Sequence, residues 1–245
     1  MRGVGDRSRD EPFFRPQDAI DSFIVAVSAR GIAPAGAASP TGFLARRFAE
    51  SLGLGDLPIV RATQVHGARV VAMEETPAPG VVVDAGPCDA LVTRLPGVGL
   101  AIQTADCVPV LLTAPGAAGA AHAGWRGSVG NVAGAVARAL LALSPDRAAA
   151  RAWLGPSIGS CCYEVGEEVA GRFPSRFARA SGEGKSFLDL AGVVRRQLEE
   201  AGIPPENVSA HSSCTMCGGE QFASYRRDRE RAGRMIALVT RIELD

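Results

Sequence analysis

Residues 59–124 decide the fold: IVRATQVHG (59–67), ARVVAM (68–73), DALVTR (89–94), GLAIQT (99–104), VPVLLT (108–113) and GAAGAAHAG (116–124). These are short apolar or alternating runs, and Gly, Pro or Asp punctuates them. That is the pattern of strands separated by turns. On the N-terminal side, SFIVAVSA (22–29) reads as a strand and GIAPAGAASP (31–40) as a loop. TGFLARRFAESLGL (41–54) reads as a helix with Thr41 as N-cap, because Phe43, Leu44, Phe48 and Leu52 repeat at helical spacing. Residues 1–19 are polar, carry two prolines and are expected to form a mobile tail.

On the C-terminal side, GSVGNVAGAVARALLAL (127–143) predicts one helix starting near Ser128 and stopping before Ser144–Pro145. RAWLGPSI (151–158) is a strand running into a turn. EVGEEVAGRF (164–173) reads as a short helix. DLAGVVRRQLEEAG (189–202) reads as an amphipathic helix, with Asp189 near its N-cap and Gly202 at its end. VSAHSSCTM (208–216) and MIALVTRIEL (235–244) are strands. Helices and strands mix without strict βαβ alternation. The expected class is therefore α+β (mixed α/β), one layered domain over residues 20–245. Neither GxGxxG after a strand nor GxxxxGK[ST] occurs, so nucleotide phosphates would have to be held another way.

The chain has 245 residues, 47% of them hydrophobic and only 5% aromatic, so Val, Leu, Ala and Ile must build the core. Lys and Arg number 26 against 26 Asp and Glu. A neutral chain without a basic run argues against nucleic acid as the main partner. No stretch approaches the roughly 20 apolar residues of a membrane span. The N-terminus lacks the apolar core of a secretory signal. A cytoplasmic protein is expected, and there its six cysteines stay reduced, which favours metal binding or catalysis over disulfides.

Only three histidines occur. His66 and His122 sit at the ends of predicted strands, and Cys107 lies in TADC between two apolar runs. Two imidazoles and one thiolate suit Zn²⁺, with the fourth tetrahedral position open as in catalytic sites. The competing reading is two satisfied core histidines and a buried thiol that packs like a small hydrophobe.

QVHGARVV, DALVTRLPGVGLAIQTADCVPVLL, AAHAGWRGSVGNV, LGPSIGSCCYEVGEEV, HSSCTMC and FASYRRDRERAGR together resemble the YfiH-like, laccase-domain family. That family is also described as purine nucleoside phosphorylases or polyphenol oxidases. The resemblance runs from about Arg61 to Leu238, and HAGWRG and TADC are its most specific pieces. It implies a layered α/β/β/α sandwich and three zinc ligands falling on His66, Cys107 and His122. It also implies a purine nucleoside and phosphate as substrates, with phosphorolysis of adenosine, inosine, guanosine and methylthioadenosine, together with adenosine deamination. The chain departs from the family after Arg30 and Gly31. There IAPAGAASPTG replaces a Ser-rich loop followed by a Tyr and an Asn-Leu-Gly segment.

Other residues carry two readings each. Asp106 could steer the metal or act as a base, or it could cap a turn. Gln64 could share a face with His66 and bond a base edge, or lie on the surface. Arg126, just before a predicted helix, could bind phosphate. Of Arg226 and Arg227, at most one should enter a given site, and an ion pair with Asp228 is the competing role. Trp125 and Tyr163 could stack on a purine or pack in the core. Cys161–Cys162 and Cys214-x-x-Cys217, with His211 nearby, could be packing thiols, a second metal site or a disulfide.

Three other functions compete. Copper is the other candidate metal, in a polyphenol oxidase, but a blue-copper-like centre normally needs a weak axial ligand such as Met. A metal-free cysteine hydrolase would use Cys107 as nucleophile and act on a cell-wall precursor. A structural zinc scaffold would require a fourth protein ligand.

Overall fold

The computed structural model describes residues 13–16, 22–30 and 41–242. Strand β1 (Phe13–Phe14) pairs with β2 (Phe23–Ser28), and helix α1 (Thr41–Ser51) follows. Next come β3 (Ile59–Thr63), β4 (Val70–Met73), β5 (Val82–Pro87), β6 (Ala90–Thr93), β7 (Gly99–Thr104), β8 (Val108–Ala114) and β9 (Ala117–Ala123). Helices α2 (Trp125–Val129) and α3 (Val132–Leu143) lead to β10 (Arg151–Leu154) and β11 (Glu164–Gly166). After α4 (Glu167–Ala170) come β12 (Ala178–Gly182), β13 (Lys185–Leu188) and α5 (Leu190–Glu200). The chain closes with β14 (Val208–Ala210), α6 (Tyr225–Asp228) and β15 (Met235–Arg241).

Two six-stranded mixed sheets result, ordered β1-β2-β15-β7-β3-β5 and β14-β10-β8-β9-β6-β4. Between them lies an apolar layer in which Val25, Val27, Leu100 and Ile102 of the first sheet meet Leu91, Leu111, Ala120 and Trp153 of the second. On the outer face of the first sheet, α1 packs Leu44 and Phe48 against Ala26, Ile59, Ile236 and Leu238. On the outer face of the second, α3 and α5 pack Val136, Leu140, Val194 and Leu198 against Val92, Val110 and Leu112. This is the α/β/β/α order the resemblance implies, in one domain. The core is aliphatic because small side chains let the layers approach. A Cβ on Gly119, in β9, would touch Val92 and Val136 at 3.4 and 3.5 Å.

The structure corrects several local readings. The helix expected from Ser128 is two helices, because Asn131 adopts a left-handed conformation (φ 61°, ψ 42°) and starts α3 afresh, its side chain accepting from Gly134 N–H. Within EVGEEVAGRF only four residues are helical. Glu164–Gly166 instead pairs with β13 in a small third sheet, ordered β11-β13-β12. Strand β5 (VVDAGP) was hidden by its Asp, Gly and Pro. It is an edge strand, with an irregular register against β3, where such residues are tolerated. The proposed tail and the 31–40 loop fall mostly outside the described residues. Phe13–Phe14 are ordered as β1, and Phe14 stacks on Phe222 with ring centroids 5.0 Å apart. Asp189 caps α5 as expected, accepting from Gly192 N–H at 2.9 Å. Among the described residues no helix is long and apolar enough to cross a membrane.

Candidate active site

Topology brings the chemistry-bearing residues to one end of the sandwich. Strands β3, β5 and β7 run parallel in the first sheet, so their C-terminal ends lie together. From those ends the chain crosses to the second sheet three times, entering β4, β6 and β8. The first crossing carries Gln64 and His66, the second Cys88 and Asp89, and the third Asp106 and Cys107. Strand β9 ends at the same place, with His122 opposite Pro109 in register.

There, one donor atom from each of His66, Cys107 and His122 lies within 4.8 Å of the others. The two imidazoles meet edge to face, with centroids 4.8 Å apart. Close approach needs a small neighbour. A Cβ on Gly124 would come within 3.0 Å of Cys107 Sγ and 3.2 Å of a His66 ring carbon.

Asp89, fully buried, organises the group. One carboxylate oxygen accepts from His122 Nδ1–H at 2.9 Å and from His66 N–H at 2.9 Å. The other accepts from Val65 N–H at 3.1 Å and Gly67 N–H at 2.7 Å. The consecutive amides of residues 65–67 thus wrap one carboxylate, which holds His66 in its left-handed conformation (φ 61°). The Nδ1–H donation leaves His122 Nε2 as the donor atom available to a metal. Burial alone would raise the Asp89 carboxyl. The His122 hydrogen bond and the backbone amides outweigh it and hold the group below the usual carboxylate range.

Charge is shared across the group. Burial opposes ionisation of the Cys107 thiol, but hydrogen bonds to His122 and His66 lower it to about 6. Burial likewise works against a charged His122, yet Asp89 and Cys107 hold that ring up at about 9. A thiolate beside imidazole nitrogens is a donor set that fits a divalent metal with three protein ligands.

The group borders a cleft of about 450 Å³. Gln103, Tyr163, Tyr225, Arg226 and Arg234 also line it. Thr104 lines it too, and its buried hydroxyl has no hydrogen-bond partner among the described residues. Tyr163 is pushed up to about 12, by burial first and by the Cys107 charge second. The guanidinium of Arg226 lies over the Tyr163 ring, 5.3 Å from its centroid, and donates to Glu164 O at 2.7 Å.

Asp106 lines the cleft but does not orient a histidine. Its two oxygens accept from Thr215 Oγ1 and from Arg226 N–H, each at 2.6 Å. It fastens the start of α6 and so positions Arg226. The carboxylate behind the ligands is Asp89, which sequence reasoning passed over as the first residue of DALVTR. Gln64 lines the cleft, with its carboxamide bonded to the Gln103 backbone at both ends, at 2.8 and 2.7 Å. Strand alternation does not carry it onto a His66 face, since β3 ends at Thr63.

Arg226 and Arg227 lie on a short helix rather than a strand, and only Arg226 enters the cleft. Arg227 turns to Asp228 and to the carbonyls of Thr215, Met216, Gly219 and Phe222. Arg126 is exposed, sits over its neighbour Trp125 at 4.3 Å and does not line the cleft. Trp125 packs partly buried against the outer core. Tyr225 and Arg234 were missed, because nothing in FASYRRDRERAGR marks which side chains turn inward.

Residues 44–242 match the family model described as multi-copper polyphenol oxidoreductase laccase. A purine nucleoside phosphorylase from Deinococcus radiodurans is 42% identical over 203 residues, covering 79% of this chain and 74% of that protein. Adenosine deaminase RL5, from an unknown prokaryotic organism, is 33% identical over 208 residues, covering 79% of each chain. The crystal structure of Bacillus licheniformis hypothetical protein YfiH superposes with a TM-score of 0.82 at 26% identity, covering 96% of this chain and 98% of that one.

Proposed function

The chain belongs to the multi-copper polyphenol oxidoreductase laccase family, and on that premise we propose that it is a zinc-dependent purine nucleoside phosphorylase with adenosine deaminase activity. Its substrates are adenosine, inosine, guanosine and methylthioadenosine, with phosphate as co-substrate. The observation that carries this reading is the company the His66–Cys107–His122 group keeps. One cleft presents that group, the Arg226 and Arg234 cations and the Tyr163 and Tyr225 rings. Metal, anion-binding charge and aromatic faces are what a phosphate and a purine nucleoside require together.

In phosphorolysis a phosphate oxygen forms a bond to the anomeric carbon of the ribose. The carbon–nitrogen bond breaks, its electron pair leaves with the purine, and the purine nitrogen takes up a proton. Arg226 and Arg234 counter the phosphate charge and hold the nucleophile in place, the positional part of the rate gain. Tyr163 stays protonated across neutral pH and so remains a hydrogen-bond donor over the stacked base. His66, Cys107 and His122 would hold the zinc, which when bound supplies a Lewis acid that polarises an oxygen. Among the described residues that line the cleft none is a methionine, the usual weak axial ligand of a blue-copper centre.

The test is chromatographic. Zinc-loaded protein is incubated with adenosine, with and without phosphate, beside a Cys107→Ser variant. Adenine formed only with phosphate and lost in the variant is the expected outcome, with inosine formed independently of phosphate reporting the deaminase activity. Release of no base from any of the four nucleosides would contradict the reading.

A further inference from the structure

Away from the cleft the fold gathers four thiols. Cys161 and Cys162 lie in the turn between β10 and β11, and Cys214 and Cys217 lie in the loop between β14 and α6. Their sulfur atoms all lie within 4.8 Å of one another, and Cys161 Sγ is 3.7 Å from Cys217 Sγ. Four sulfurs at about 2.3 Å from one zinc ion stand about 3.8 Å apart, the edge of a tetrahedron. The cluster has that size. An iron–sulfur cluster, which interposes several irons and sulfides between its cysteines, needs a wider spread. We propose that Cys161, Cys162, Cys214 and Cys217 bind a second zinc ion as a closed tetrathiolate site.

The backbone is built for this role. Gly159 N–H donates to Cys214 Sγ at 3.2 Å. Such a donor stabilises a metal-bound thiolate from its outer side. Gly218 N–H returns to Cys214 O at 2.7 Å and closes the Cys-x-x-Cys turn, where a Cβ on Gly218 would collide with that carbonyl. Ser157 bridges to Cys214, and Thr215 N–H donates to Ser157 O at 2.9 Å. The two loops are therefore already joined by their backbones where the sulfurs converge. None of the four thiols joins the His66–Cys107–His122 group, so that centre gains no fourth protein ligand from them.

With four protein donors the second ion has no open position, and its role is structural. The two loops it ties are those that bring Ile158 and Tyr163, and Tyr225 and Arg226, to the cleft. The zinc clips two walls of the cleft together from behind.

Zinc counted per chain tests this. Wild-type, Cys107→Ser and Cys161→Ser/Cys217→Ser proteins are saturated with zinc under reductant and desalted. The proposal expects the Cys107→Ser protein to keep one zinc, and its cobalt-loaded form to show intense thiolate-to-metal charge-transfer absorption. The double variant should hold one zinc fewer than wild type. These readings are independent of the cleft: should the His66–Cys107–His122 group bind nothing, wild type and Cys107→Ser would each carry the same single zinc. A Cys107→Ser protein without zinc, in which the four remaining clustered thiols react at once with a thiol reagent, would overturn the proposal. That protein leaves the four-cysteine cluster intact, so the result does not depend on the double variant folding.

Discussion

The two clusters of metal-ligating side chains differ in almost every physical respect. His66, Cys107 and His122 sit where the chain crosses between sheets, around a fully buried carboxylate. Cys161, Cys162, Cys214 and Cys217 sit on loops, with Cys161 and Cys217 exposed and the Gly159 N–H donating to Cys214 Sγ. The first set has three donors and faces a cleft. The second has four, and none of them lines the cleft. An open position held by rigid strands suits chemistry, whereas a closed position on loops suits fastening. The contrast assigns function by geometry, because donor number and access to the cleft separate the two sets.

The widest separation should come from removing one sulfur at each centre. Cys107→Ser is expected to lower phosphate-dependent base release on the order of 10³-fold, the loss of about 4 kcal/mol of charge stabilisation, with a melting temperature close to wild type. Cys214→Ser should do the reverse, keeping measurable activity while losing about 3 kcal/mol, or roughly 6–12 °C in melting temperature for a chain of this size. Parallel melting curves and initial rates check both, and equal effects on both readouts would erase the distinction.

Next in size is the supporting carboxylate. Asp89→Asn should weaken zinc at the cleft about 10–100-fold, the usual cost of a lost ligand-orienting partner, and should leave zinc on the four cysteines unchanged. Competition with a chromophoric chelator resolves the two populations. Asp106→Asn should leave both zinc affinities near wild type, because its oxygens bind Thr215 and the Arg226 backbone rather than a ligand.

Of similar size at one arginine, and smallest at another, is the effect on the anion. Arg226→Ala should raise the KM for phosphate about 10–100-fold, the worth of a charged hydrogen bond. Arg126→Ala should change it less than about threefold, since that side chain lies outside the cleft. Initial rates across a phosphate series separate the two arginines.

The sequence carried the sheets through the apolar runs between Ile59 and Ala123, and carried the donor trio because so few histidines exist to choose from. What it could not carry was convergence. Asp89 looks like an ordinary strand-leading aspartate. It matters because three parallel strands end beside it and deliver His66 and Cys107 to the same place as His122. Asp106, adjacent to a ligand in sequence, points instead to α6. The four cysteines were visible as CC and CxxC, but about fifty residues separate them, and only folding shows that they share a centre. The polar hairpin of β12 and β13 and the edge strand β5 escaped because each is short and Gly-rich or Pro-bearing, with little apolar signal.

The most direct test is to strip the protein of metal and refill it stepwise with zinc, following adenine formation from adenosine in phosphate at each step. The rate should rise with the zinc equivalents that wild type takes up and Cys107→Ser does not, and should be near zero in the stripped protein. Full activity in the stripped protein would contradict the account and return Cys107 to the role of a metal-free nucleophile.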